Sequence, residues 1–235
     1  MKPFTVTWRL SSPLCLAPYP IHLDGLLAWA AVDLRRRSEF PGNYLEAKDD
    51  LPLEKVSGED GATVWKASCL YGTPALEPEL RLMIRRTDEF TFATWRGKLF
   101  DSRLSVITLG TGQFRNYSLR QAVQWFPELR AHGVGDIDLV KNLLGRLSFL
   151  GRLTRNGFGR IASFELVEDP EAATLWRRRN LPESLSEFAT DGHAQGVGCI
   201  SSPYWDRAAW TNILEWRKPV DFPAPANQGQ SAVPT

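Results

Sequence analysis

"VGDIDLVKNLLGRLSFLGRLTRNGFGRIASFELVE", residues 134–168, contains in order the signals for a helix, a glycine-rich basic turn and a strand. Asp136 suits an N-cap, and Ile137, Val140, Leu144 and Leu147 recur on one helical face with Leu143 and Leu150 beside it. Gly151 is placed to end that helix in the left-handed conformation. In "IASFELVE", Ala162, Phe164 and Leu166 alternate with Ile161, Ser163 and Glu165, the period of a strand. The stretch between them, "GRLTRNGFGR" at 151–160, holds Arg152, Arg155 and Arg160 with Gly151, Gly157 and Gly159 and no acid.

Direction decides what this stretch can be. Phosphate loops of nucleotide folds run from strand to helix, so that the helix N-terminus faces the anion. Here the order is reversed, a GK[ST] triplet is missing, and a nucleotide cofactor is disfavoured. Two readings stay open. Arg152, Arg155 and Arg160, with Lys141 and Arg146 upstream and Asn156 in the turn, can set guanidinium forks and backbone N–H groups against successive phosphates. Phe158, between Gly157 and Gly159, could offer a face to a base. Alternatively, the glycines only permit a turn, Phe158 plugs it and the arginines are solvated.

Outward from this stretch, "MKPFTVTWRL" alternates Phe4, Val6, Trp8 and Leu10 with polar residues, a half-buried strand rather than a signal peptide. "IHLDGLLAWAAVDLRRR", 21–37, places Leu23, Leu26, Leu27, Ala30, Ala31 and Leu34 on one helical stripe, with Arg35–Arg37 in the last turn where cations suit the helix dipole. Residues 38–62 are acidic and rich in breakers, reading as a long loop or insertion. "TVWKASCLYG" (63–72), "ELRLMIRRT" (79–87) and "FTFATWRG" (90–97) read as strands, whereas 113–133 supports no assignment. "PVDFPAPANQGQSAVPT", 219–235, lacks an apolar period and is expected to be a disordered tail after a single domain spanning 1–218.

Composition narrows the chemistry. Hydrophobic residues make up 43% and charged residues 23%, and no apolar run reaches the ~18 residues of a membrane span, so a cytoplasmic protein is expected. The net charge of +1 averages the acidic 38–62 segment with the acid-free 141–160 stretch, and a polyanion would feel the latter. Cys15, Cys69 and Cys199 are too far apart for a zinc motif or disulfide framework, and His22, His132 and His193 do not cluster, so no metal site and no cofactor are expected. No nucleophile elbow is present, and the close carboxylates Asp136/Asp138 and Glu77/Glu79 read as helix cap and surface charge. His22, between the first strand and the first helix, could act as general base or acid in RNA cleavage through the 2′-hydroxyl, supported by Tyr19 or an arginine; its plainer reading is a partly buried helix-start histidine. Arg177, Arg178 and Arg179 could widen the basic patch to RNA or DNA, although a charge run is more often a solvated face.

Strand, helix, strand, strand, helix, strand is the ferredoxin-like order (βαββαβ, RRM-like) of the α+β class, with insertions and a C-terminal extension added here. "IHLDGLLAWA", then "LLGRLSFLGRLTRNGFGRIASFEL" and "SPYW", resembles the CRISPR-associated RAMP superfamily, most closely the Cas-five-class subunit of type IV effector complexes. The resemblance covers residues 4–34 and 136–205. It implies a non-catalytic subunit whose glycine-rich loop, with Arg155, Gly157, Gly159 and Arg160, holds the 5′ handle of the CRISPR RNA. It further implies packing on backbone RAMP subunits and the large subunit, and a part in reading the target-adjacent motif on DNA. Some relatives process the repeat themselves, which keeps metal-independent cleavage by His22 as the alternative.

Overall fold

A computed structural model describes residues 1–16, 19–39, 44–85, 116–204 and 206–217. The first strand, β1 (Lys2–Leu10), lies at the centre of an antiparallel sheet, because alternate residues from Phe4 to Trp8 are apolar and fully buried. After the two-residue β2 (Leu14–Cys15), α1 (Leu23–Glu39) places Leu23, Leu27 and Ala30 on that sheet. Two short strands, β3 (Lys55–Ser57) and β4 (Thr63–Trp65), pair with each other, and β5 (Glu79–Arg85) pairs with β6 (Tyr117–Gln124). β7 (Glu128–Gly135) and β8 (Ile161–Glu168) flank β1 on either side, with α2 (Ile137–Leu144) between them in sequence. Val140 and Leu144 of α2 join the core cluster that α1 and β1 form.

The chain from Leu53 to Tyr71 runs along the outer edge of β7, touching it through bridges at Leu53–Gly135, Ala67–Gly133 and Tyr71–Arg130. On its other side this edge segment bonds to the start of α1: the Leu23 amide donates to Ser68 O and the Leu70 amide to Ile21 O. The expected strand over 63–72 is thus divided between a hairpin arm and a broken edge. The expected strand at 90–97 and the tail at 219–235 lie outside the described residues. The acidic 38–62 stretch is not merely a loop: a 3-10 helix (Tyr44–Asp49) packs on α1, the β3–β4 hairpin follows, and Ala47, Leu51 and Leu53 are buried.

Beyond the core, β9 (Leu181–Pro182), β10 (His193–Gly198) and β11 (Thr211–Trp216) make a second antiparallel sheet, order β10-β11-β9. It is joined to the core by Arg179, which is fully buried. The Arg179 guanidinium donates to the Asp24 carboxylate (3.2 Å) and the Tyr204 hydroxyl (2.7 Å). It also donates to the carbonyls of Trp65 (2.5 Å), Ala67 (3.2 Å), Asn180 (3.1 Å) and Ile200 (2.6 Å). Tyr204 in turn donates to Asp24. Removing one partner of such a pair leaves an uncompensated buried charge. Arg179→Ala is therefore expected to lower stability by about 3–5 kcal/mol in urea unfolding; a loss within the ±0.5 kcal/mol typical of surface changes would contradict the lock.

A second buried polar chain crosses the core sheet. The Thr5 hydroxyl donates to Asp169 (2.5 Å) and so accepts from His132 Nδ1 (2.7 Å), leaving His132 Nε2 to accept from the Tyr71 hydroxyl. Desolvation, followed by the field of Arg178, pulls His132 down to about 4. His22 is also pushed well below the ordinary histidine value, by burial and then Arg179. Both groups bind protons more readily when unfolded. Their contribution to stability is intact above about pH 6.5 and falls as pH drops toward 4, by about 3 kcal/mol for His132 alone. Urea midpoints at pH 7, 6 and 5 should fall progressively; a flat profile would refute this.

Candidate nucleic-acid interface

α2 begins where the sequence places it: the Asp136 carboxylate accepts from the amides of Asp138 and Leu139, each at 3.1 Å. It ends earlier than expected, at Gly145, whose amide reaches Lys141 O at 3.0 Å. Gly151 is left-handed but lies outside the helix; Leu147 and Leu150 still reach the core from an irregular segment. From there the chain doubles back. Leu150 N donates to Gly159 O (2.8 Å) and Ile161 N to Ser148 O (3.0 Å), so residues 148–152 and 159–161 face each other across the turn.

The turn itself is a 3-10 segment, Thr154–Asn156, closed by Gly157 at φ +86°. The whole loop is tied to the exit of β1. Ser11 N donates to Arg160 O (2.8 Å), Gly159 N to Pro13 O (2.7 Å), and Arg160 N to Ser12 Oγ (2.8 Å). Gly159 combines φ +69° with a tight site, since a Cβ there would stand 1.9 Å from Leu150 O. Gly157 faces open space. The two glycines answer to different constraints: Gly157 to its backbone angle alone, Gly159 also to close approach.

Arg152, Arg155, Asn156, Gly157 and Arg160 are exposed on this turn, and Lys141 and Arg146 are exposed on and just after α2. Among the described residues no carboxylate forms an ion pair with any of these five cations. Phe158 does not face outward. It is buried with Cys15 and Val123, with Met83 and Leu153 packed alongside, and joins the loop to the β5–β6 sheet. The plug reading of that ring replaces the base-stacking one, because an apolar ring between two sheets gains more from burial than from exposure.

The arginine run at 177–179 is not an extension of this patch. Arg179 is sealed in the interior, so it is unavailable to a phosphate. Arg177 lies half-buried over Phe188, its guanidinium carbon 5.3 Å from the ring centre, and Arg178 lies half-buried over Tyr71 at 5.3 Å. The run is a set of anchors on aromatic faces, a pattern that spacing along the chain does not reveal. His22 is also interior. Its ring stacks on Tyr204 at 4.0 Å with an interplanar angle of 6°, and neither buried ring nitrogen has a hydrogen-bond partner among the described residues. His193 bonds Arg179 O through Nε2 (3.0 Å) and accepts from Thr190 N at Nδ1 (3.1 Å). Among the described residues no group of three or more His, Cys, Asp or Glu could hold a metal ion.

Sequence reasoning missed Asp24, whose signal was a carboxylate inside the otherwise apolar "HLDGLL", and Tyr204, quoted in "SPYW" without a role. A family model described as CRISPR type IV associated protein Csf3 matches residues 2–216. The chain belongs to the Csf3 family. It is thus a type IV CRISPR effector subunit of Cas-five-like kind, and the Csf3 match runs from β1 through β11, taking in the basic loop and the Arg179 lock. Among curated proteins none matches the chain. No helix among the described residues is long and apolar enough to cross a membrane.

The different constraints on the loop glycines can be tested directly. Gly157→Ala should cost about 1 kcal/mol, the penalty for a left-handed alanine. Gly159→Ala should cost more than about 2 kcal/mol, because the added carbon meets backbone. Chemical unfolding of the two variants measures the difference, and equal losses would refute the close-approach account.

Proposed function

We propose that this type IV effector subunit holds the 5′ handle of the CRISPR RNA on the 151–160 loop and caps one end of the ribonucleoprotein. The observation that carries the reading is a set of exposed cations, in ion pairs with no carboxylate among the described residues, around a turn that is itself fixed to β1. A charged loop of this kind is preorganised: the backbone is already held in place by Ser11–Pro13, so a polyanion would meet arginines at set positions rather than order them. Lys141, Arg146, Arg152, Arg155 and Arg160 would contact phosphates, with the Asn156 side chain beside them at the turn that Gly157 closes through its amide bond to Thr154 O. Base pairing by the guide would supply sequence specificity, and the protein would read shape and backbone.

The core is read as ferredoxin-like in the RAMP manner. Supporting this, β1 lies between β7 and β8, α1 follows β1, α2 precedes β8, and the 67–71 segment takes the outer edge beside β7. Backbone RAMP subunits and the large subunit are the proposed neighbours, with target DNA a further contact. The cleavage alternative needs His22 to reach a 2′-hydroxyl, and its ring nitrogens lie beneath Tyr204 out of solvent.

Arg155→Ala and Arg160→Ala should each weaken binding of handle RNA and flatten the slope of log K against log salt by about 0.7, the value of one single-strand phosphate contact. Unchanged affinity and slope in both variants would remove the loop from the interface. Incubation with labelled repeat RNA in EDTA should give no cleavage; cleavage that His22→Ala abolishes would overturn the non-catalytic reading.

A further inference from the structure

α1 carries more apolar surface than the core uses. Leu23, Leu27 and Ala30 face the sheet, yet Gly25, Trp29 and Val32 make a second stripe on the opposite side, at intervals of four and three residues. Trp29 is 56% exposed on that stripe, a large cost-bearing surface for a ring of this size. The stripe is one wall of a groove of about 610 Å³, within the ~300–1,000 Å³ span of small-ligand sites. Tyr204 also lines it, its ring within 3.3 Å of where a Cβ on Gly25 would stand, and so does exposed Tyr19.

The rim is what distinguishes an occupant. Lys48 and Arg152 line the groove, and among the described residues that line it none is an acid. Arg152 also belongs to the basic loop, so groove and loop form one surface. An apolar side chain from a protein neighbour would have no use for the two cations. An unstacked nucleotide uses every part: aromatic faces for the base, cations for the flanking phosphates.

We propose that this groove takes an unstacked base of single-stranded RNA, stacked on Trp29, while Arg152 and Lys48 hold the phosphates on either side of it. The proposal rests on the reading of the 151–160 loop as an RNA clamp and adds a base-binding site beside it.

Fluorescence anisotropy on the full chain would compare a labelled single-stranded RNA with an abasic strand of the same length. Trp29→Ala is expected to weaken RNA binding about tenfold while leaving the abasic strand and the salt slope unchanged. Trp29→Phe should restore most of the loss. Because Trp29 is on the outer face of α1, far-UV circular dichroism and the melting temperature of both variants should match the parent. RNA affinity unaltered in Trp29→Ala, with Arg155→Ala still weakening it, would overturn the groove alone and leave it to a protein neighbour. No RNA binding by the unaltered chain at low salt would overturn the clamp reading, and the groove with it.

Discussion

The Arg179 guanidinium is the point at which three separate parts of the chain meet. Its partners come from the start of α1 (Asp24), from the segment running beside β7 (Trp65 and Ala67) and from the turn before β11 (Ile200 and Tyr204). A buried charge of this kind is weak grounds for stability, since desolvation offsets most of the attraction. Its effect is on arrangement: any packing of the C-terminal sheet that left Arg179 short of these acceptors would bury an unpaired cation. Tyr204 is held in the same network, which fixes it where it lines the groove along α1 and stacks the phenol ring over His22.

The basic loop depends on a different principle. Its backbone is held by hydrogen bonds to residues 11–13 and by the burial of Phe158 against the β5–β6 sheet, so its shape owes nothing to the arginines. The cations are therefore free to face outward, where an unpaired charge in water costs little. Separation of the two roles within ten residues explains how a turn can be held by the fold and still present a row of charges to solvent. The arginines at 177–179 show the opposite use of the same residue type. There, aromatic faces and buried carbonyls take up the charge, and little is left for a ligand.

Legibility in the sequence followed how local each signal was. β1, β8, α1 and the start of α2 could be read because each buries one face and so repeats apolar residues at its own period. β7 could not, although it pairs with β1 over eight positions. Its core-facing residues include small Ala131, opposite Val6, and Gly133, which is small because Phe4 packs directly on it; a Cβ on Gly133 would stand 2.7 Å from Phe4 Cζ. Small residues chosen for close packing carry no hydrophobic period. The C-terminal strands escaped for a similar reason, since "HAQGVG" alternates weakly and its partner is separated by a turn-rich loop.

By itself, the sequence determined the central strand, both major helices and the identity of the charged glycine turn between α2 and β8, because each rests on residues within a few positions of one another. Only the tertiary structure decided which arginines face water and which are buried, that Phe158 is a plug and that α1 has a second apolar face beside the loop. Those outcomes depend on segments far apart in the chain coming together. Asp24 and Arg179 are separated by 155 positions, and no local pattern can encode a pairing over that distance.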